Sequence, residues 1–174
     1  MWKNKDEFTF GTFYLQCIQA IFMDRESDKA ARDKSVENIG KRQKDIEEGD
    51  IMYGPILIFP EGTSHNDLYL HRFRRGAFTA ERAIQPFLLC YEWDSVSPCY
   101  DCVRAIDYGM LLLSQFGLRE VHLDFLPVFV PNDYLFTEYR KSIPGGDKME
   151  RWEVYAHALR DMMTEVGGFG QNDQ

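Results

Sequence analysis

GPILIFPEGTS, residues 54–64, joins a short apolar run to a polar turn. Gly54 and Pro60 bound the apolar run, and a continuous run of this length is typical of a strand buried in a parallel sheet. The turn that follows holds a carboxylate at Glu61, then a glycine, then two hydroxyls. Because ligands of open α/β sheets bind beyond the carboxyl ends of the strands, this turn is a candidate functional site.

Helix and strand patterns alternate on both sides of this stretch. The segment 28–48 is charged, rich in good helix formers and followed by Gly49, which predicts a surface helix. The later predicted elements are strands over 84–91 and 119–130 and helices over 103–116 and 148–166. The order predicts a single α/β domain over residues 1–166, with a mostly parallel or mixed sheet flanked by helices. Residues 167–174 are predicted to form a flexible tail.

The composition is that of an ordinary globular protein. The chain has 174 residues, of which 44% are apolar and 28% charged, so disorder is disfavoured. A net charge of -8 argues against a nucleic-acid partner. Neither a secretory signal nor a run of about 18 apolar residues is present. The four cysteines (Cys17, Cys90, Cys99 and Cys102) are too scattered for a disulfide framework and offer no four-ligand zinc set, so we expect no metal.

Arginines near the turn suggest an anion site. Gly62 allows a ligand close to the backbone, and Thr63 and Ser64 supply hydroxyl donors. The run 72–75, Arg-Phe-Arg-Arg, follows shortly, and arginine forms bidentate contacts with phosphate. Arg25 ends the earlier apolar stretch. The alternative is that these arginines form surface ion pairs with the abundant acidic residues.

Five segments together resemble the glycerolipid acyltransferase family. FPEGTS at 59–64 is similar to the family's third signature block, and IFMDR at 21–25 is similar to the second. The others are FRRGAF at 73–78, IQPFLL at 84–89, which resembles the fourth block, and VHLDFLPVFVPND at 121–133. The last segment, and the lack of arginine after Thr63, resemble the lysophosphatidylcholine acyltransferase branch in particular. The similarity extends over about residues 10–165.

The resemblance implies an acceptor site and substrates. It assigns binding of the acceptor's phosphate, and the approach of acyl-CoA, to a set of six residues: Arg25, Glu61, Gly62, Thr63, Ser64 and Arg74. The implied substrates are acyl-CoA, as co-substrate without any other cofactor, and a lysophospholipid or glycerol phosphate. The implied location is a membrane surface inside the cell, on the endoplasmic reticulum or another organelle.

One part of the family pattern is not found in these 174 residues. The first block, His-x-x-x-x-Asp, supplies the general base and the carboxylate that orients it. None of the four histidines, at 65, 71, 122 and 157, has aspartate five residues later. We therefore expect a domain truncated at its N-terminus, with no catalytic residue, that is inactive alone. The alternative is a catalytically inactive lipid-binding or structural subunit of a membrane assembly, with a protein partner covering its N-terminal side.

The four histidines have different interpretations: His65 is the candidate substitute for the missing base, and His71 could join the basic run 72–75. His65 lies close to the third block in a polar loop, and general-base catalysis would require it to reach the acceptor hydroxyl. His122, in a predicted strand, and His157, on the last predicted helix, are interpreted as structural. The pair Cys99 and Cys102 is interpreted as two loop thiols.

Overall fold

The helix Arg151–Gly167 supplies more buried residues than any other described element. A computed structural model describes residues 19–21, 28–49, 54–62, 69–92, 105–114 and 120–172. The helices are α1 (Lys29–Glu47), α2 (Ala105–Leu113), α3 (Arg140–Ser142) and α4 (Arg151–Gly167), with a π-helical segment Leu135–Tyr139 that leads into α3 and 3-10 turns at Arg75–Ala77 and Gly146–Lys148. The mixture of helices and small sheets confirms the α/β class.

Helix α1 agrees with its sequence prediction. Its apolar stripe buries Val36 and Ile39, whereas most of the helix surface is exposed. The chain turns at Gly49, whose φ is +85° and whose N–H donates to the Ile46 carbonyl at 3.1 Å. Glycine adopts this left-handed conformation without the cost that a side chain would add.

Helix α4 is the centre of the core. Glu150 and Glu153 form a reciprocal capping box at its start, which satisfies two backbone donors. Val154 and Tyr155 are fully buried, and the Tyr155 ring meets Phe78 edge to face with centroids 5.3 Å apart. The Tyr155 hydroxyl donates to the Arg82 carbonyl at 2.8 Å, and burial raises the pKa of this hydroxyl.

The strands form two separate pairs within the described ranges. β1 (Tyr69–His71) pairs in parallel with β4 (Gly170–Asn172), and β2 (Phe87–Tyr91) pairs antiparallel with β3 (Val121–Phe125). Within the predicted flexible tail, 167–174, the backbone of residues 170–172 pairs with β1, and the flexibility of the tail stays a prediction. Helix α4 reaches Gly167, and β4 is held by backbone pairing to β1.

The apolar run 54–60 differs from the buried strand that its sequence predicts. It pairs with no strand in the described parts of the chain, and its exposure alternates. Leu57 is 62% exposed and Phe59 is 63% exposed, whereas Ile58 packs against the core. The two prolines, Pro55 and Pro60, have no backbone N–H to donate to a neighbouring strand. Among the described helices, none has the length and apolarity needed to cross a membrane.

Candidate functional site

A tight turn at residues 59–62 follows the apolar run. The Gly62 N–H donates to the Phe59 carbonyl at 3.2 Å, which closes the turn. Pro60 fixes its own φ near the value that the second position of a turn requires. Gly62 has a φ of +79°, a conformation that glycine adopts without strain. The backbone conformation of the turn therefore requires glycine at position 62. The lack of a side chain there also leaves room for a ligand.

One hydrogen bond joins this turn to the end of β1, and another joins it to the basic segment, residues 72–75. Glu61 Oε2 accepts the His71 backbone N–H at 2.9 Å, at the end of β1. The Arg74 backbone N–H donates to the Pro60 carbonyl at 2.8 Å. The structure thus brings together Glu61, Gly62 and Arg74, three of the six residues that the sequence predicts for the acceptor site. The Glu61 carboxylate holds the main chain, which is a positioning role.

The three arginines of the basic segment have different surroundings. Arg72 Nη2 lies 2.6 Å from Glu153 Oε1, and Arg75 pairs with Asp33. The interpretation of surface ion pairs is therefore correct for these two. The exposed Arg74 guanidinium has no hydrogen bond or ion pair with any residue that the structure describes. Within the described ranges, Arg74 is consequently the arginine of this segment that no acidic side chain occupies, and a guanidinium of this kind suits an anion.

The other predicted acceptor-site residues lie outside the described residues. These are Arg25, Thr63 and Ser64, together with His65, the candidate substitute base. Their roles remain predictions that follow from the resemblance.

His157, which the sequence analysis interprets as structural, lies in a cluster with Asp161 and Tyr139. His157 Nδ1 is 3.1 Å from Asp161 Oδ2 and 3.1 Å from the Tyr139 hydroxyl oxygen. The Tyr139 hydroxyl also donates to Asp161. Burial and this bond raise the pKa of Tyr139. The spacing of four residues between His157 and Asp161, which places both on one helix face, was the available sequence signal.

A second cluster could hold a divalent cation. Donor atoms of Glu92, Glu120 and His122 lie within 4.8 Å of one another, and all three side chains are exposed. His122 Nε2 is 3.0 Å from Glu92 Oε1, so an ordinary surface pair accounts for their closeness. Sequence reasoning missed this cluster because only the register of β2 against β3 brings residue 92 beside residue 120.

Comparison with known proteins supports the resemblance. The acyltransferase family model matches residues 5–90. Human lysophosphatidylcholine acyltransferase 1 is 31% identical over 173 residues, covering 98% of this chain and 29% of the relative. The chain belongs to the glycerolipid acyltransferase family.

Other acyltransferases of this branch show similar coverage. Human lysophosphatidylcholine acyltransferase 2 is 30% identical over 161 residues, covering 91% of this chain and 26% of the relative. The lysophosphatidylcholine acyltransferase of Drosophila melanogaster is 26% identical over 161 residues, which cover 91% of this chain and 27% of the relative. The chain therefore spans less than a third of the length of these relatives. No solved structure matches it.

The acyltransferase match and the geometry agree on one region. The turn and the basic segment both lie within the matched residues 5–90, whereas His157 and Asp161 lie outside the match. The anion site that the resemblance implies at this turn and segment stays a prediction.

Proposed function

We propose that this chain is part of a lysophospholipid acyltransferase domain and contributes the site for the acceptor's phosphate. The observation that carries the proposal is the available Arg74 guanidinium, whose main chain is bonded to the Pro60 carbonyl in the turn. In the proposed site, Arg74 and Arg25 bind the phosphate. Glu61 positions the backbone, and the residues from Gly62 to Ser64 line the approach.

The proposed reaction needs acyl-CoA and an acceptor hydroxyl. The hydroxyl oxygen attacks the thioester carbonyl, the new ester bond forms and the carbon–sulfur bond breaks. The hydroxyl proton leaves with the thiol of coenzyme A. A general base must hold that proton in the transition state. The family's first block supplies this base, and it is not found in these 174 residues. We therefore propose that the chain binds the acceptor but does not turn it over.

The acceptor site can be tested by calorimetric titration of the full chain with glycerol 3-phosphate. We expect Arg74→Gln to weaken binding about tenfold, because a charge-assisted hydrogen bond at an exposed site contributes about 1.5 kcal/mol. Arg75→Gln is the matched control. It removes the same charge from the same segment, but from an arginine that is already paired with Asp33. Equal losses in the two variants would show that only the net charge of the segment matters and would refute the assignment.

Turnover is tested separately from binding. The full chain is incubated with acyl-CoA and a lysophospholipid, and release of the coenzyme A thiol is followed. We expect no release above the rate without protein. Release that disappears in Arg25→Ala would show that the chain is an active enzyme and would contradict the proposed division between binding and catalysis.

A second function, a lipid-binding or structural subunit, is favoured by an exposed apolar sheet face. Direct pairing places six apolar side chains on one face of β2 and β3: Phe87, Leu89, Tyr91, Val121, Leu123 and Phe125. Leu123 is 45% exposed and Phe125 is 64% exposed. Contiguous apolar surface of this kind marks contact with a membrane or another protein.

We propose that this face contacts the membrane of an intracellular organelle. Flotation with phosphatidylcholine vesicles tests the contact. We expect Leu123→Ser with Phe125→Ser to release the protein, and the surface variant Glu138→Gln to float as before. If the protein does not float but associates with itself through the same two residues, the face is a protein interface instead.

A further inference from the structure

One face of the β2–β3 pair carries four side chains of types that bind metals. Residues that pair directly across an antiparallel ladder share a face, and so do residues two apart on one strand. Cys90 pairs with His122. The Glu92 N–H donates to the Glu120 carbonyl at 3.0 Å, which continues the same register beyond β2. A thiol, an imidazole and two carboxylates therefore lie on one face, opposite to the apolar face of the two strands.

Three of the four donor groups are already close together. Donor atoms of Glu92, Glu120 and His122 lie within 4.8 Å of one another, and all three side chains are exposed. Ligands of one zinc ion lie about 3–4 Å apart, because zinc bonds to nitrogen, oxygen and sulfur measure about 2.0–2.3 Å. Exposed side chains can close this difference by small rotations.

The two carboxylates bring like charges together across the strands. The ion pair with His122, in which Nε2 is 3.0 Å from Oε1 of Glu92, accounts for one of them. Glu120 adds a second negative charge at the same place. Like charges directly opposite each other on paired strands are destabilising. A divalent cation held between the carboxylates would replace this repulsion by attraction.

We propose that Cys90, Glu92, Glu120 and His122 bind a zinc ion that links β2 to β3. Thiolate, imidazole and carboxylate are the protein ligands of zinc, and structural zinc sites have four ligands in a tetrahedron. Magnesium and calcium prefer oxygen ligands alone, so the thiol and the imidazole favour zinc. The thiol loses its proton to solvent when the metal binds.

The sequence expectation of no metal considered the cysteines alone. The other three donors are brought beside Cys90 only by the register of β2 against β3. The zinc site uses neither Arg74 nor the turn at 59–62, so it is independent of the proposed function.

Cobalt is the first probe, because a cobalt–thiolate bond absorbs in the near ultraviolet and thus reports a bound cysteine. Co²⁺ is titrated into the reduced full chain with Cys99→Ser and Cys102→Ser, which removes the two loop thiols. We expect the absorption to appear, and Zn²⁺, but not an equal concentration of Mg²⁺, to abolish it. Adding Cys90→Ser should also abolish it. No absorption in the double variant, or absorption that persists after Cys90→Ser, would overturn the proposal.

The other donors are tested by calorimetric titration of the same double variant with Zn²⁺. We expect Glu120→Gln and His122→Gln each to weaken binding at least about tenfold, since even residues that only support a metal ligand contribute that much. The matched control is Asp124→Asn, which removes the same charge from the same face at a residue outside the cluster. If Asp124→Asn weakens zinc binding as much as Glu120→Gln does, the ion responds only to the charge of the face, and the proposal fails.

Discussion

Replacing Glu61 tests whether its carboxylate positions the candidate acceptor site. Glu61 Oε2 accepts the His71 N–H at 2.9 Å in a half-buried setting. Hydrogen bonds to charged groups contribute about 1.5–3 kcal/mol to stability, and partial exposure places this bond near the lower end. Glu61→Ala is therefore expected to lower the free energy of unfolding by about 1.5 kcal/mol.

The variant Glu61→Gln separates the bond from the charge. Its amide oxygen can still accept the His71 N–H, and a neutral bond contributes about 1 kcal/mol. We expect Glu61→Gln to lose only about 0.5 kcal/mol and to bind glycerol 3-phosphate more tightly than Glu61→Ala does. Urea unfolding measures the stability, with the change read from the midpoint at constant slope.

Two results would refute a positioning role for Glu61. The first is an unfolding midpoint for Glu61→Ala equal to that of the unaltered chain, because the bond would then contribute nothing. The second is equal loss of phosphate affinity in both variants at unchanged stability, which would indicate that the charge of Glu61 acts on the ligand directly.

The remaining predictions concern the core and acid stability. Phe78 is 1% exposed and packs on Tyr155, so Phe78→Ala should cost about 3–5 kcal/mol in urea unfolding. The control Phe59→Ala, at a side chain 63% exposed, should cost well under half of that, and equal costs would contradict the assigned core. The hydrogen bond from Arg151 lowers the pKa of Glu81 below its ordinary value of 4.5. A lowered folded-state pKa adds stability above pH 4.5, and this stability is lost as pH falls through the folded-state value. Arg151→Gln should therefore reduce the loss of stability below pH 4.5, measured by thermal unfolding at several pH values, and an unchanged acid profile would contradict it.

Helices with a local signal could be predicted well. The segment 28–48 was predicted as a helix and forms Lys29–Glu47, and 148–166 was predicted as a helix and forms Arg151–Gly167. Helical periodicity and capping residues are properties of neighbouring residues, so they are visible in sequence.

Features that depend on pairing between residues far apart in sequence were either not predicted or predicted wrongly. The run 54–60 looked like a buried strand, but strand formation requires a partner, which its composition does not specify. Gly170–Asn172 has no strand propensity, and only its backbone pairing with β1 makes it β4. In the candidate site, the resemblance identified Arg74, whereas the structure was needed to show that Glu153 and Asp33 occupy the two other arginines of its segment.

The three-residue strand β1 links the turn of the candidate acceptor site to helix α4. At its end, the His71 N–H is held by Glu61 of the turn, and the Leu70 carbonyl is held by the buried Arg160 of α4. The following residue, Arg72, pairs with Glu153 on the same helix. A strand of three residues gains little stability from its own backbone pairing. These side-chain hydrogen bonds therefore fix its position. A substitution that frees β1, such as Glu61→Ala, should therefore lower both the stability in urea unfolding and the affinity for glycerol 3-phosphate, whereas Arg74→Gln should lower only the affinity.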